Sequence, residues 1–344
     1  MNKESRFGGV RSFVLAGCCL AIAGLAHAFA QQPNLQLTVP HPPVTTAVQS
    51  VPLNNLAIDD QVEAAIELGN KARDEKNFSE AESQYRRALT LNPKEARAYY
   101  GLGNTFFDQQ HYDDAAAAYS EATRLKPDYA EAFNDLGFVQ AKQKRYSEAI
   151  ENYKRAVALK PNLLEAYDNL ASAYGEQQKY DEAIEVLRQV IRVQPTYARG
   201  HFKIAVVYAR QKRYAEAADE YNLAIGLKAD YQDAYYGLGV AQYTLAHYNE
   251  AAQAFARATV LNANDDEAFA YLGLSYYAQG QYAQSLEPFQ RAVRLKPEKE
   301  VPHYNLGMAY VMLGKKSEAR EQRQALRELK SEYGEMLLAE INKP

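Results

Sequence analysis

From Val62 to Tyr333 the chain repeats itself every 34 residues, with no insertion or deletion. The eighth position of successive units is Gly69, Gly103, Gly137, Ala171, Ala205, Gly239, Gly273 and Gly307. The twentieth is Ala81, Ala115, Ala149, Ala183, Ala217, Ala251, Ser285 and Ala319. An aromatic ring holds the seventeenth position at Phe78, Tyr112, Tyr146, Tyr180, Tyr214, Tyr248 and Tyr282, failing only at Lys316. A fourth column is large and apolar, Tyr85, Tyr119, Tyr153, Leu187, Tyr221, Phe255 and Phe289, and fails at Arg323. Several columns held in register this long are not chance, and a period in this range means a stack of identical small units.

Each unit has room for two helices of roughly 12–14 residues and two tight turns. Tyr99, Leu102, Gly103 and Phe106 are spaced to make one apolar stripe, and Ala115, Tyr119 and Ala122 make another. Small residues at the eighth and twentieth positions let helices approach closely, and large ones fill the space beside them. Pro93, Pro127, Pro161, Pro195 and Pro297 follow the second helices and stop them. Ala229 and Ala263 replace that proline, which predicts two less rigid corners.

This pattern resembles the tetratricopeptide repeat, most clearly in Tyr99-Tyr100-Gly101-Leu102-Gly103, Tyr235-Tyr236-Gly237-Leu238-Gly239 and Phe269-Ala270-Tyr271-Leu272-Gly273. It departs from the family in having no Trp at the first landmark, Leu187 and Val190 in the fourth unit, and a degenerate eighth unit. The resemblance implies an all-α chain, a right-handed superhelical α-solenoid of stacked antiparallel helix pairs. Its eight units would span 62–95, 96–129, 130–163, 164–197, 198–231, 232–265, 266–299 and 300–333. In the last of these, Lys316 and Arg323 stand at core-type positions, as expected where no further unit follows. Leu326, Leu329, Tyr333 and Leu337 then predict a capping helix that runs past Gly334 into a tail, residues 334–344.

Residues 1–30 read as an export signal. Lys3, Arg6 and Arg11 precede an uncharged, mostly apolar run from Ser12 to Ala30, which ends in Ala28-Phe29-Ala30. Cleavage after Ala30 would place the chain in a bacterial periplasm. Two alternatives stay open: lipidation at Cys18, within Leu15-Ala16-Gly17-Cys18, and an uncleaved anchor over residues 12–30. Both cysteines lie in this segment, so a chain cleaved after Ala30 has no thiol chemistry. Residues 31–61, with Pro33, Pro40, Pro42, Pro43 and Pro52, read as an extended leader.

The resemblance also implies where a partner would sit, in a groove lined by positions 2, 5, 9, 12 and 13 of the first helices. Early units place mainly polar residues there, among them Glu63, Asn70, Arg73, Asn104 and Asp108. Later units offer Phe202, Val206, Tyr236, Val240, Tyr243, Leu274, Tyr277, Tyr304, Met308, Val311 and Met312. Large apolar groups gathered on one face predict a protein or peptide partner. Packing of the face on itself or on a second copy is the competing account. A clamp for a terminal carboxylate would use Asn70 and Asn104, but Ile66 and Tyr100 stand where it needs lysines. An asparagine ladder at position 6 finds only Asn169 and Asn305.

Nothing points to catalysis, a cofactor or a metal. The six histidines include no zinc-spaced helical pair, and His201 and His303 fall in a packing column. No phosphate-cradling glycine motif occurs, and Asp113-Asp114 and Asp265-Asp266 lie where they would cap helices. The formal charge of −4, which loss of residues 1–30 makes more negative by two, gives no reason to expect nucleic acid. A neutral or basic polypeptide, and association with a cell-envelope complex, fit it better.

Overall fold

Glycine at the eighth position matters because a ring from the second helix lies against it. A Cβ built on Gly69, Gly103, Gly239 or Gly273 would sit 2.5–2.8 Å from ring carbons of Tyr85, Tyr119, Phe255 or Phe289. Those four rings are buried. In these four pairs the helices therefore close with backbone against aromatic face, a spacing that leaves no room for a Cβ.

The computed structural model describes residues 57–343. Residues 1–30, expected to be an export signal, residues 31–56 of the expected leader, and Pro344 lie outside the described residues. The first helices of the pairs are α1 (Ile58–Asp74), α3 (Ala96–Asp108), α5 (Ala130–Lys142), α7 (Leu164–Glu176), α9 (Ala198–Arg210), α11 (Gln232–Thr244), α13 (Asp266–Ala278) and α15 (Glu300–Met312). Their partners are α2 (Phe78–Leu91), α4 (Tyr112–Leu125), α6 (Tyr146–Leu159), α8 (Tyr180–Val193), α10 (Tyr214–Leu227), α12 (Tyr248–Leu261), α14 (Tyr282–Leu295) and α16 (Lys316–Glu328). A short α17 (Tyr333–Ile341) follows, and no strand occurs among the described residues. Each second helix packs on its own first helix and on the next one, which makes an all-α solenoid of antiparallel pairs.

The turn inside each pair repeats one device. Lys76, Gln110, Lys144, Gln178, Lys212 and Ala246 take left-handed φ values of 59–62°, and Gly280 and Gly314 hold the same place at 75° and 72°. That residue lets the chain bond back onto the helix it leaves. After α3, Gln110 N–H donates to the Phe107 carbonyl at 2.8 Å and His111 N–H to the Phe106 carbonyl at 2.9 Å. At the other corner, α10 and α12 end at the same register as their neighbours although Ala229 and Ala263 replace proline.

Both ends differ from expectation. α1 starts at Ile58, so the last residues assigned to the leader are helical; Asp59 and Asp60 in its first turn favour the positive end of the helix dipole. At the other end a helix does run past Gly334 into the tail, as α17, but it is not continuous with the helix before it. α16 stops at Glu328, Lys330 takes a φ of 58°, and α17 folds back on α15 and α16. The polar residues that suggested an uncovered end are used by this cover. Arg323 Nη2 pairs with Glu335 Oε1 at 3.1 Å, and Lys316 Nζ donates to the Lys343 carbonyl at 3.2 Å.

Candidate partner-binding face

The first helices line one face of the stack, and its two halves are built differently. Over the first five pairs, polar side chains answer one another across neighbouring units. Arg97 pairs with Glu63 at 2.7 Å and Arg73 with Asp108 at 3.7 Å. Asn70 and Asn104 are not free for a clamp through their oxygens, because each Oδ1 accepts a tyrosine hydroxyl, Tyr85 or Tyr119, at 2.7 Å.

Between them runs a ladder that links position 5 of one unit to position 6 of the next. Tyr100 donates to Asp135 Oδ2 at 2.7 Å, and Asn169 Nδ2 donates to Asn134 Oδ1 at 3.1 Å. Asn134 Nδ2 also donates to Asp135 Oδ1 at 3.0 Å. Burial pushes the Asp135 carboxyl up to about 6, against the hydrogen bonds from Tyr100 and Asn134 that favour its charged form. Sequence reasoning missed this ladder because it searched one position for one residue type. The usable signal was a spacing of 35 residues between hydrogen-bonding side chains.

The apolar half loses part of its expected surface to packing. Tyr236, Tyr277 and Met308 are buried, so these three have almost no area left to give a partner. Tyr236 meets Phe255 and Tyr271 edge-on, at ring distances of 5.7 and 6.2 Å, and donates to Glu267 Oε2 at 3.2 Å. Tyr277 packs edge-on to Tyr282 at 5.0 Å, and its enclosed hydroxyl finds no hydrogen-bond partner among the described residues. Phe202 and Tyr304 are half-buried for a reason that recurs along the stack. The ring at position 5 lies on a ring at position 34 of its own unit: Tyr100 on Tyr129, Phe202 on Tyr231 and Tyr304 on Tyr333, at 4.9–5.1 Å.

Half-buried surface remains at Phe202, Val206, Val240, Tyr243, Leu274, Tyr304, Val311 and Met312. To these the structure adds Val301, which is 46% exposed at the start of α15. Its signal was legible: the second position is charged in each of the other units, at Glu63, Arg97, Glu131, Glu165, Arg199, Asp233 and Glu267. The two histidines are structural. His303 is buried between Gln322 Oε1 and the Pro297 carbonyl, and His201 Nδ1 lies 2.7 Å from Glu220. Asp265 caps α13, accepting the Ala268 N–H at 2.9 Å. No group of three His, Cys, Asp or Glu residues among the described residues could hold a metal ion. No helix among them is long and apolar enough to cross a membrane.

A stack of helix pairs with side chains gathered on its first-helix face defines a helical-repeat interaction protein. A family model for the tetratricopeptide repeat matches residues 100–163 and 169–234, and a second, for the TPR repeat, matches 69–110 and 273–314. Together they span more than half of the chain, which belongs to the tetratricopeptide repeat family. Among solved structures, the C-terminal part of a TPR repeat-containing protein from Cytophaga hutchinsonii is similar with a TM-score of 0.60 at 17% identity, covering 71% of this chain and 99% of that one. Pseudomonas aeruginosa pilF is similar with a TM-score of 0.51 at 21% identity, covering 66% and 99%. At these identities the likeness is one of fold. No curated protein matches the chain.

Proposed function

We propose that the chain is a non-catalytic scaffold of eight repeats that holds a partner polypeptide on the first-helix face of its fifth to eighth units. One observation carries the reading. Val301 breaks a column of charged residues with an exposed apolar side chain, in the same helix as half-buried Tyr304, Val311 and Met312 and one unit on from half-buried Leu274. Burial of such a strip would supply affinity, and the tyrosine hydroxyls would orient polar groups of the partner. Substituting Val301→Glu restores the charge of its column, and Leu274→Ala with Met312→Ala trims the strip. Affinity capture from the native host's envelope fraction should lose its partner with both variants while helicity by circular dichroism stays unchanged. A partner retained by both variants would reject the face; protection of the same side chains in a homodimer would assign the strip to self-association.

The scaffold is an exported one in this reading, on the strength of Lys3, Arg6 and Arg11 ahead of the apolar run to Ala30. Intact mass and N-terminal sequencing of the native protein should place its first residue at Gln31. An acylated Cys18 would establish the lipid-anchored form instead, and retention of residues 1–30 the anchored one.

A further inference from the structure

In three seams between successive units, a long side chain of the second helix reaches over the next first helix, to the residue twenty positions further on. Arg188 Nη2 donates to the Tyr208 hydroxyl at 3.3 Å, Gln290 Nε2 donates to the Tyr310 hydroxyl at 2.9 Å, and Lys154 Nζ lies 6.0 Å from the centre of the Tyr174 ring. Between α4 and α5 the same pair is Ser120 and Gln140, and serine is too short to span it. The shortening extends along that face of α4. Asp113, Ala116, Ala117 and Ser120 follow one another at helical spacing, where α6 carries Ile150, Glu151 and Lys154 and α8 carries Ile184, Glu185 and Arg188. An open cavity of about 360 Å³ lies here, between α4 and α6 and over α5, at the lower end of the range of ligand clefts.

Gln140 floors this cavity and is only 7% exposed. Its orientation is fixed from behind. Asn152 Nδ2 donates to the Glu148 carbonyl at 3.2 Å and to Gln140 Oε1 at 2.7 Å, and a backbone carbonyl can only accept. The oxygen end of Gln140 is therefore turned to α6. Its Nε2, which has no hydrogen-bond partner among the described residues, is the end left for the cavity. A buried donor left unpaired is costly. The rim supplies acceptors: Ser120 Oγ makes no hydrogen bond among the described residues, and Asp113 uses Oδ1 alone, for Gln143 Nε2 at 2.7 Å. Arg145 is already held, by Glu148 and by Gln143 Oε1 at 3.1 Å.

We propose that this cavity docks a glutamine side chain of a partner polypeptide, on the second-helix side of the stack and apart from the first-helix face. None of its lining residues stands at a groove position. A primary amide carries an acceptor at one end and donors at the other. Its carbonyl takes the Gln140 Nε2 hydrogen, and its own nitrogen donates to Ser120 Oγ or to the open oxygen of Asp113. A lysine ammonium would meet Asp113 but leave the Gln140 donor bare. A glutamate would meet Gln140 but bring its charge up to Asp113 and Glu148. The stack itself shows that the side chain fits, because Gln290 fills the equivalent seam between α14 and α15.

The probes are the N-acetyl N′-methylamides of L-glutamine, L-glutamate and L-lysine, and the readout is the methyl resonances of Ala116 and Ala117 in alanine-labelled protein. A saturable shift is expected with glutamine, and binding at least tenfold weaker with glutamate and lysine. Gln140→Met keeps the length and removes the donor, so it should weaken the glutamine probe at least tenfold with helicity unchanged. Ser120→Gln supplies the missing side chain from the chain itself, as Gln290 does. Its thermal midpoint should equal or exceed that of the parent, and the response to glutamine should vanish. No saturable response to glutamine, an equal one to glutamate or lysine, or one that survives Ser120→Gln would overturn the site. A Ser120→Gln midpoint several degrees below the parent would show that the seam has no room for the side chain, and would overturn it too. Val301→Glu should leave the response unchanged, which keeps this site separable from the first-helix face.

Discussion

Leu337 lies over Gly307 in the space that a side chain there would need. A Cβ on Gly307 would sit 2.4 Å from Leu337 Cδ2. In the neighbouring pairs this space is filled by a ring of the pair's own second helix, but in the last pair that position is Arg323. The cover helix α17 supplies Leu337 in its place, fully buried, and Arg323 turns to Glu335 on the same helix. The stack is therefore closed at this end by half a unit that mimics the ring it lacks. Leu337→Ala should destabilise by about 2–4 kcal/mol, as buried leucine truncations do. Gly307→Ala should also destabilise, by overpacking. Because both act on one contact, the double variant should lose clearly less than the sum of the two. Urea unfolding of the four proteins measures the coupling, and strict additivity would show that the two residues do not share a space.

The glycines divide by what lies opposite them. Gly239 faces three ring carbons of Phe255 at 2.8 Å, whereas nothing lies within 4 Å of a Cβ at Gly226, near the end of α10. Gly239→Leu should cost on the order of 3 kcal/mol through overpacking. Gly226→Ala should raise stability by about 0.5–1 kcal/mol, because an exposed helical glycine gains from a side chain that restricts its unfolded state. Thermal midpoints moving in opposite directions would bear out both placements; an unchanged midpoint in Gly239→Leu would refute the first.

Much of this fold was legible because the 34-residue period states it in one helix pair after another, in residue types with one meaning each. A small residue at position 8 and a ring at position 24 leave a helix pair a single way to close, and the proline-spaced corners fix where the next begins. The face was less legible. Whether Phe202 or Tyr304 meets solvent depends on Tyr231 and Tyr333, each 29 residues further on, the first just ahead of α11 and the second at the start of α17. Tyr236 and Tyr277 were expected at the surface and are buried, because their rings meet other rings from the adjoining helices. Position within a repeat tells which way a residue starts out, and its neighbours in the next turn decide how much of it is left over. Lys316 and Arg323 illustrate the same limit, since polar residues at a stack end fit bare solvent and a polar cover equally well.

Two local conflicts within the repeat offer stabilising changes. Ala246 holds a φ of 61°, a region that glycine enters without the clash a Cβ makes. Ala246→Gly should stabilise by about 1 kcal/mol. Pro288 lies inside α14, buried, where it withholds the N–H that the helix ladder needs; Ala118 and Ala254 occupy the equivalent place in α4 and α12. Pro288→Ala should therefore stabilise by about 1–3 kcal/mol. Chemical unfolding with the slope held constant checks both. A destabilised Pro288→Ala would mean that the ring's own packing outweighs the missing hydrogen bond.

Asp135 makes the stability of the central units depend on pH in a direction opposite to most carboxylates. Burial raises its folded pKa to about 6, above the value of an exposed aspartate, so between those two values the folded state holds more protons than the unfolded one. Stability from this group is therefore fully present below about pH 4, falls as pH rises towards 6, and is level above that. The full change is at most about 3 kcal/mol, since one pKa unit is worth 1.36 kcal/mol. Asp135→Asn cannot ionise and should not show this fall. The substitution also sets its amide against the Asn134 donor, so its absolute stability will be displaced by a separate, pH-independent amount. The quantity to measure is the difference between parent and variant by urea unfolding from pH 4 to pH 8. That difference should move in favour of the variant up to about pH 6 and then stay constant. A difference that is flat throughout, or that moves in favour of the parent as pH rises, would show that the Tyr100 and Asn134 hydrogen bonds hold Asp135 ionised in the fold.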